Sequence, residues 1–184
     1  ILQQGGKTIT QDEAILVLDK TSFYGESGGQ IGDTGVIQGK DFSFRVSDTQ
    51  RTPDGKIYHL GRLEKGSIHL KDAASLMVDK NRRQAVARNH SATHLLHKAL
   101  KEVLGGHVNQ AGSLVNENRL RFDFSHFTAL STEEIAEVES KVNDAILSNL
   151  SVTTKETTLE EAQAQGVVAL FGERYGEKVR VVRM

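Results

Sequence analysis

The sequence predicts an α+β protein, a small N-terminal β-barrel followed by a helix and antiparallel-sheet domain, and three observations carry that prediction. Residues 1–78 are rich in β-branched residues, glycine and turn signals. The character changes at Asp79, after which good helix formers run from Lys80 to Leu104 and stop at Gly105-Gly106. Beyond that stop the order reads strand, strand, helix, strand, helix, strand, as expected of an α+β domain. Two domains are therefore expected, 1–78 and 79–184, which a chain of 184 residues can hold.

In order along the chain, Glu13 to Asp19 is strand-like, and Ala14 to Leu18 is its longest apolar run. Phe42, Phe44 and Val46 alternate with Ser43, Arg45 and Ser47, the period of a half-buried strand. Thr52-Pro53-Asp54-Gly55 has the proline and glycine of a tight turn, and a strand over Lys56 to Leu60 would complete a hairpin. Ser67 to Val78 supplies at least one more strand, and short strands at this spacing suggest a small barrel. Asp79 is placed to cap the long helix, with a break near Asn89 a further possibility. Ser113 to Val115 and Arg119 to Phe124 read as a hairpin turning at Asn116-Glu117-Asn118. Ser131 and Glu134 make a capping box, and Ile135, Val138, Val142, Ile146 and Leu150 form an apolar stripe at helical spacing behind it. Val152 to Lys155, Leu159 to Ala164 and Lys178 to Met184 then predict a strand, a short helix and a last strand.

Bulk properties narrow the classes. Hydrophobic residues at 38% and charged residues at 26% describe an ordinary folded chain, not a disordered one. No apolar run approaches the roughly 18 residues that cross a bilayer, so no membrane partner is expected. The start, Ile1-Leu2-Gln3-Gln4, has neither a signal peptide's basic start nor an initiator methionine, so a piece of a larger protein is expected. With no cysteine, no disulfide can form, which fits a cytoplasmic location, and any metal must be held by His, Asp or Glu. A net charge of −1 gives no general attraction to nucleic acid.

Chemistry is concentrated at the histidines. His90 and His94 stand four apart on the predicted helix, about 40° apart around its axis, so their rings can converge on one ion. His97 falls within the same arc. Equally, all three can be surface or core histidines satisfied by hydrogen bonds. A metalloprotease is disfavoured: that chemistry needs a glutamate after the first histidine, and Ser91 stands there. Gly28 and Gly29 permit positive φ and close backbone approach to a ligand, and they also suit an ordinary hairpin turn.

Asn89-His90-Ser91-Ala92-Thr93-His94-Leu95-Leu96-His97 resembles the start of the editing site in alanyl-tRNA synthetases, bacterial ones in particular. Free-standing alanyl-tRNA deacylases and the threonyl-tRNA synthetase editing domain share a looser form. Phe23-Tyr24-Gly25-Glu26-Ser27-Gly28-Gly29-Gln30-Ile31-Gly32-Asp33 is similar to the family's glycine motif. Gly112-Ser113-Leu114-Val115, Leu120-Arg121-Phe122-Asp123-Phe124-Ser125-His126 and Ala169-Leu170-Phe171-Gly172-Glu173-Arg174-Tyr175-Gly176 follow in family order.

The resemblance implies proofreading: hydrolysis of the ester that joins serine or glycine to alanine tRNA. It implies zinc, with His90 and His94 as two of four ligands. The family supplies the others from a Cys-Gly-Gly-Thr-His block soon after the strand that here ends at Met184, so truncation of a longer chain and weak metal affinity are expected. By the same resemblance Thr93 contacts the misacylated side chain, Gln110 sits in the editing pocket, and Gly28, Gly29 and Gln30 lie beside it. ATP would be used only in an aminoacylation region outside this chain, and the partners would be the acceptor end of alanine tRNA and the rest of the synthetase. Arg82, Arg83, Arg88, Lys98, Lys101, Arg119 and Arg121 are candidate phosphate contacts. The competing expectations are a non-catalytic module that binds the tRNA acceptor end and a scaffold whose histidines are core residues.

Overall fold

The structure is a computed structural model that describes residues 8–10, 13–167 and 176–184. The described residues form two compact units, one drawn from Ile1–Thr93 with Gly112–Arg121 and the other from His94–Ala111 with Phe122–Met184. Each has its own apolar cluster. Elements are mixed α and β, and every paired strand in a named sheet runs antiparallel to its neighbour in the registers described. Among the described residues no helix is long and apolar enough to cross a membrane.

In the first unit β1 (Thr8–Ile9), β2 (Glu13–Val17), β3 (Gly35–Gly39), β4 (Phe42–Arg51), β5 (Ile57–Gly66), β6 (Ile68–His69) and β7 (Ala74–Val78) precede the long helix. Five of them make one sheet in the order β2-β5-β4-β3-β7, and β1 pairs with β6. The alternation in β4 works as the sequence predicts: Phe42, Phe44 and Val46 are buried, while Ser43, Arg45 and Ser47 are not. After Val46 a register shift against β5 moves the pattern on, and Thr49 becomes buried. The turn at Thr52–Gly55 closes with Thr52 N–H donating to the Lys56 carbonyl at 2.9 Å. Leu16, Phe23, Ile37 and Ile68 join the β4 residues in the core. The described sheet has two ends, β2 and β7; its closure into the small barrel expected from the sequence is left open by the described strands.

Helix α1 (Lys80–Leu104) spans the predicted range and is continuous, so the considered break near Asn89 does not occur. Asp79 caps it, its carboxylate accepting from Arg82 N–H at 3.0 Å. The hairpin of β8 (Gln110–Val115) and β9 (Leu120–Phe124) turns where predicted, with the Asn116 side-chain oxygen accepting from Asn118 N–H and Arg119 N–H, each at 2.8 Å. The unit division falls inside α1, between Thr93 and His94, and again inside each hairpin strand.

In the second unit α2 (Thr132–Leu147) begins with the predicted box: Ser131 Oγ accepts from Glu134 N–H, and Glu134 Oε2 accepts from Ser131 N–H. Its stripe is only partly covered. Val138 is buried and Val142 packs on the cluster formed with Ala99, Leu100 and Val108, whereas Ile135 and Ile146 are 46% and 52% exposed. Strand β10 (Thr153–Thr158), helix α3 (Leu159–Ala164) and strand β11 (Lys178–Arg183) complete the order, β10 pairing with β11 from Thr153↔Arg183 to Thr158↔Lys178.

Candidate functional site

The glycine motif folds as a tight two-glycine turn. Ser27 N–H donates to the Gln30 carbonyl at 3.1 Å and Gln30 N–H returns to the Ser27 carbonyl at 3.0 Å. Gly28 and Gly29 hold φ of 59° and 80°, the conformation only glycine adopts without strain, so the hairpin-turn reading of this pair is realised. The close backbone approach is realised too, but its neighbour is protein. A Cβ on Gly29 would collide with the Ser113 carbonyl and hydroxyl oxygens. Val115 N–H donates to the Gly29 carbonyl at 2.8 Å and Ile31 N–H to the Val115 carbonyl at 3.2 Å, which fastens the turn along β8.

From that turn the Gln30 side chain reaches the middle of α1. Its Oε1 lies 2.5 Å from His90 Nδ1, across sixty residues of sequence. His90 is half-buried, and burial holds its pKa below the ordinary imidazole value. One residue earlier, Asn89 Nδ2 donates to the Asn116 carbonyl at 2.8 Å and ties this stretch of α1 to the β8–β9 turn. Thr93 is buried and donates its hydroxyl hydrogen to the Asn89 carbonyl at 2.8 Å, the back-bonded arrangement of a helix-interior threonine.

The remaining candidates belong to the second unit. His94 is exposed on α1, and Gln110 is half-buried at the start of β8. His97 is a core residue: it is buried, 5.0 Å from the Phe122 ring, with Nε2 3.4 Å from the Val108 carbonyl oxygen. Burial lowers its pKa first of all, the Val108 carbonyl opposes that shift, and the charge of Lys101 adds slightly to it. The idea that His97 lends a third metal nitrogen beside His90 and His94 is not supported by this placement.

The donor set fits zinc in kind, because a neutral imidazole is an ordinary zinc ligand, and falls short of a closed site in number. Among the described residues no group of three or more His, Asp or Glu side chains is placed to hold a metal ion. Two shallow depressions on the five-stranded sheet, one lined by Gln38, Phe42 and Lys65 and the other by Ile15, Arg45 and Leu60, include none of the candidate residues. The motif at Ala169–Tyr175 lies outside the described residues.

Two of the candidate phosphate contacts are instead committed within the first unit. Arg82 donates to the Gly32 carbonyl at 2.7 Å and to Glu117 at 3.1 Å. Arg83 bonds the buried Asp33 carboxylate and the Ser22 carbonyl, and Asp33 also accepts from Tyr24 N–H at 2.6 Å. These arginines lock the glycine motif to α1, a structural use their charge alone does not reveal. Lys98 pairs with Glu102 at 3.2 Å, while Arg88, Arg119 and Arg121 are exposed.

Residue spacing could not have found the Gln30–His90 contact, which depends on a turn docking beside a helix. It also missed a histidine pair in the second unit, where His107 Nε2 stands 2.9 Å from His126 Nδ1 and the Phe127 ring stacks on His107 at 4.7 Å between centroids. Only the presence of histidine after the Gly105-Gly106 stop hinted at it.

Comparison with known proteins points to alanine–tRNA ligases. Residues 3–82 match the family model described as tRNA synthetases class II (A). The chain is 51% identical over 173 residues to the alanine–tRNA ligase of Acetivibrio thermocellus, covering 94% of this chain and 20% of that protein. To that of Mesorhizobium japonicum it is 50% identical over 187 residues, covering 100% of this chain and 21% of the relative. To that of Francisella tularensis subsp. novicida it is 54% identical over 177 residues, covering 96% and 20% respectively. The chain thus spans about a fifth of the length of the curated relatives it matches. Along nearly its whole length it is a homologue of a portion of alanine–tRNA ligases.

Proposed function

We propose that this chain is the proofreading part of an alanine–tRNA ligase, which hydrolyses the ester of serine- or glycine-charged alanine tRNA at a zinc-dependent site. The observation that carries the reading is the meeting of two motifs distant in sequence: Gln30 of the glycine motif reaches His90 of the His-Ser-Ala-Thr-His motif at 2.5 Å. The need for such a site is physical. A pocket built for alanine gains only about 1–3 kcal/mol over glycine, which lacks one methyl group, and rejects serine's added hydroxyl weakly. A second site that removes the errors supplies the missing discrimination.

In this reading His90 and His94 are neutral imidazole ligands, one helical turn apart on α1. Bound zinc would supply a Lewis acid that orients the amino acid's α-amino group or activates water. The chain's own residues bind and orient. Thr93 offers hydroxyl lone pairs to serine's hydroxyl, Gln110 holds water or substrate by its amide, and Gly28 and Gly29 shape the wall that Gln30 completes. Arg88, Lys101, Arg119 and Arg121 are candidate phosphate contacts, with the tRNA acceptor end as partner. ATP would be used elsewhere in the parent enzyme, and its place is the cytoplasm. The two further ligands would come from the rest of the parent ligase.

A second reading, a module that binds the acceptor end without chemistry, draws on the shortage of metal ligands among the described residues. The test is release of serine from mischarged alanine tRNA by a full-length ligase that carries this segment. Release that falls to background in His94→Ala while alanine charging continues supports hydrolysis here. Binding without release in the unmodified enzyme favours the module.

A further inference from the structure

Both partners of the Gln30–His90 contact are held by backbone or by neighbouring polar groups, so the contact is built and not incidental. Gln30 is bonded through its own N–H and C=O to Ser27, and the residues on either side are bonded to Val115. The missing side chain of Gly29 lets this turn lie flat on Ser113. His90 follows Asn89, whose amide is bonded to the Asn116 carbonyl. Gln30 and His90 are therefore positioned from the same short stretch of chain, residues 113–116, and belong to the same compact unit.

The chemistry of the two groups decides the rest. A neutral imidazole has one N–H and one lone pair, and a glutamine amide has an accepting end and a donating end. With the amide oxygen facing Nδ1 at 2.5 Å, Nδ1 carries the hydrogen and donates it, which leaves the ring's lone pair on Nε2. Histidines that ligate metals are usually held this way, the second ring N–H given to an oxygen that fixes both tautomer and ring orientation.

We propose that Gln30 is a positioning residue that holds His90 as its Nδ1–H tautomer, the form whose Nε2 can ligate a divalent transition-metal cation. This rests on the zinc reading for its purpose, but the tautomer itself does not depend on metal. It also gives the glycine motif a task beyond making a turn: Gly28 and Gly29 deliver one amide oxygen to one imidazole.

The experiment reads the ring nitrogens of His90 by proton–nitrogen correlation in the metal-free, 15N-labelled 184-residue chain, at a pH where imidazole is neutral. Zinc affinity is measured separately, in a full-length ligase that carries this segment with the same substitutions. Unmodified protein is expected to show Nδ1–H. Gln30→Ala, which keeps every backbone bond of the turn, should show a mixture of tautomers and bind zinc about 10–100-fold more weakly. Gln30→Glu, which keeps an accepting oxygen, should restore the Nδ1–H form and most of the affinity. An Nε2–H ring in the unmodified chain, meaning that the amide nitrogen donates into Nδ1, overturns the proposal, as does a tautomer indifferent to Gln30→Ala. An Nδ1–H ring that depends on Gln30, in a full-length ligase that takes up no zinc at this segment, supports the positioning and removes the zinc reading instead.

Discussion

In the first unit Leu16, Ile37, Phe44 and Val46 are sealed from solvent, and polar side chains of the same unit are bonded within it: Asp33 to Arg83, Arg82 to Glu117, Asn89 to the Asn116 carbonyl, Gln30 to His90. In the second unit α2 seals Val138 and leaves Ile135, Ile146 and Leu147 at 46%, 52% and 81% exposure. A deep apolar core with satisfied polar contacts holds side chains to narrow geometries, which is what a site that depends on one imidazole orientation requires. A thinner core leaves more of the stability to a few residues and more apolar surface in water.

The largest effect expected to sharpen this contrast is cavity formation. Phe44→Ala should cost about 3–5 kcal/mol, against about 1–2 kcal/mol for Val138→Ala, as measured by urea denaturation. Equal costs would break the contrast. Acidification comes next. His59 is buried in the first unit, with Nδ1 3.0 Å from the Leu16 carbonyl oxygen and Nε2 2.8 Å from Thr21 Oγ1, and burial lowers its pKa despite that carbonyl. A histidine with a lowered folded pKa binds its proton more readily unfolded. Its stabilising share is therefore complete above the unfolded value, about 6.5, and is lost as pH falls through the folded value. His97 acts with the same sign in the second unit. The urea midpoint should fall between pH 7.5 and pH 5, with less of the fall in His59→Gln; a midpoint independent of pH would show that these rings are not held neutral. The smallest effect is expected on the open face of α2. Leu147→Gln should change stability by no more than about 0.5 kcal/mol, and a larger loss would mean that this face is covered in solution.

Local patterns were legible wherever neighbours in sequence settle the outcome. Both ends of α1, the capping box of Ser131 and Glu134, the short helix from Leu159 and the alternation of Phe42, Phe44 and Val46 all follow from turn chemistry, helix formers and periodicity. The stripe on α2 shows the limit of that reasoning: its spacing is right, yet only Val138 is buried, because periodicity says which face is apolar and nothing about how much protein exists to cover it. The arginines at 82 and 83 are candidate phosphate contacts by sequence and are instead bonded to Gly32, Asp33, Glu117 and Ser22.

By itself the sequence determined the helix ends, the strand periods and the motifs on which the resemblance to alanyl-tRNA synthetases rests, since each is written in residues a few positions apart. Tertiary structure alone decided which imidazole meets which amide. Folding brings Gln30 to His90 across sixty positions and turns His97 into the core beside Phe122 and Val108. The reason is geometric: hydrogen bonds act over about 3 Å, so the partner of a side chain is set by where the backbone docks.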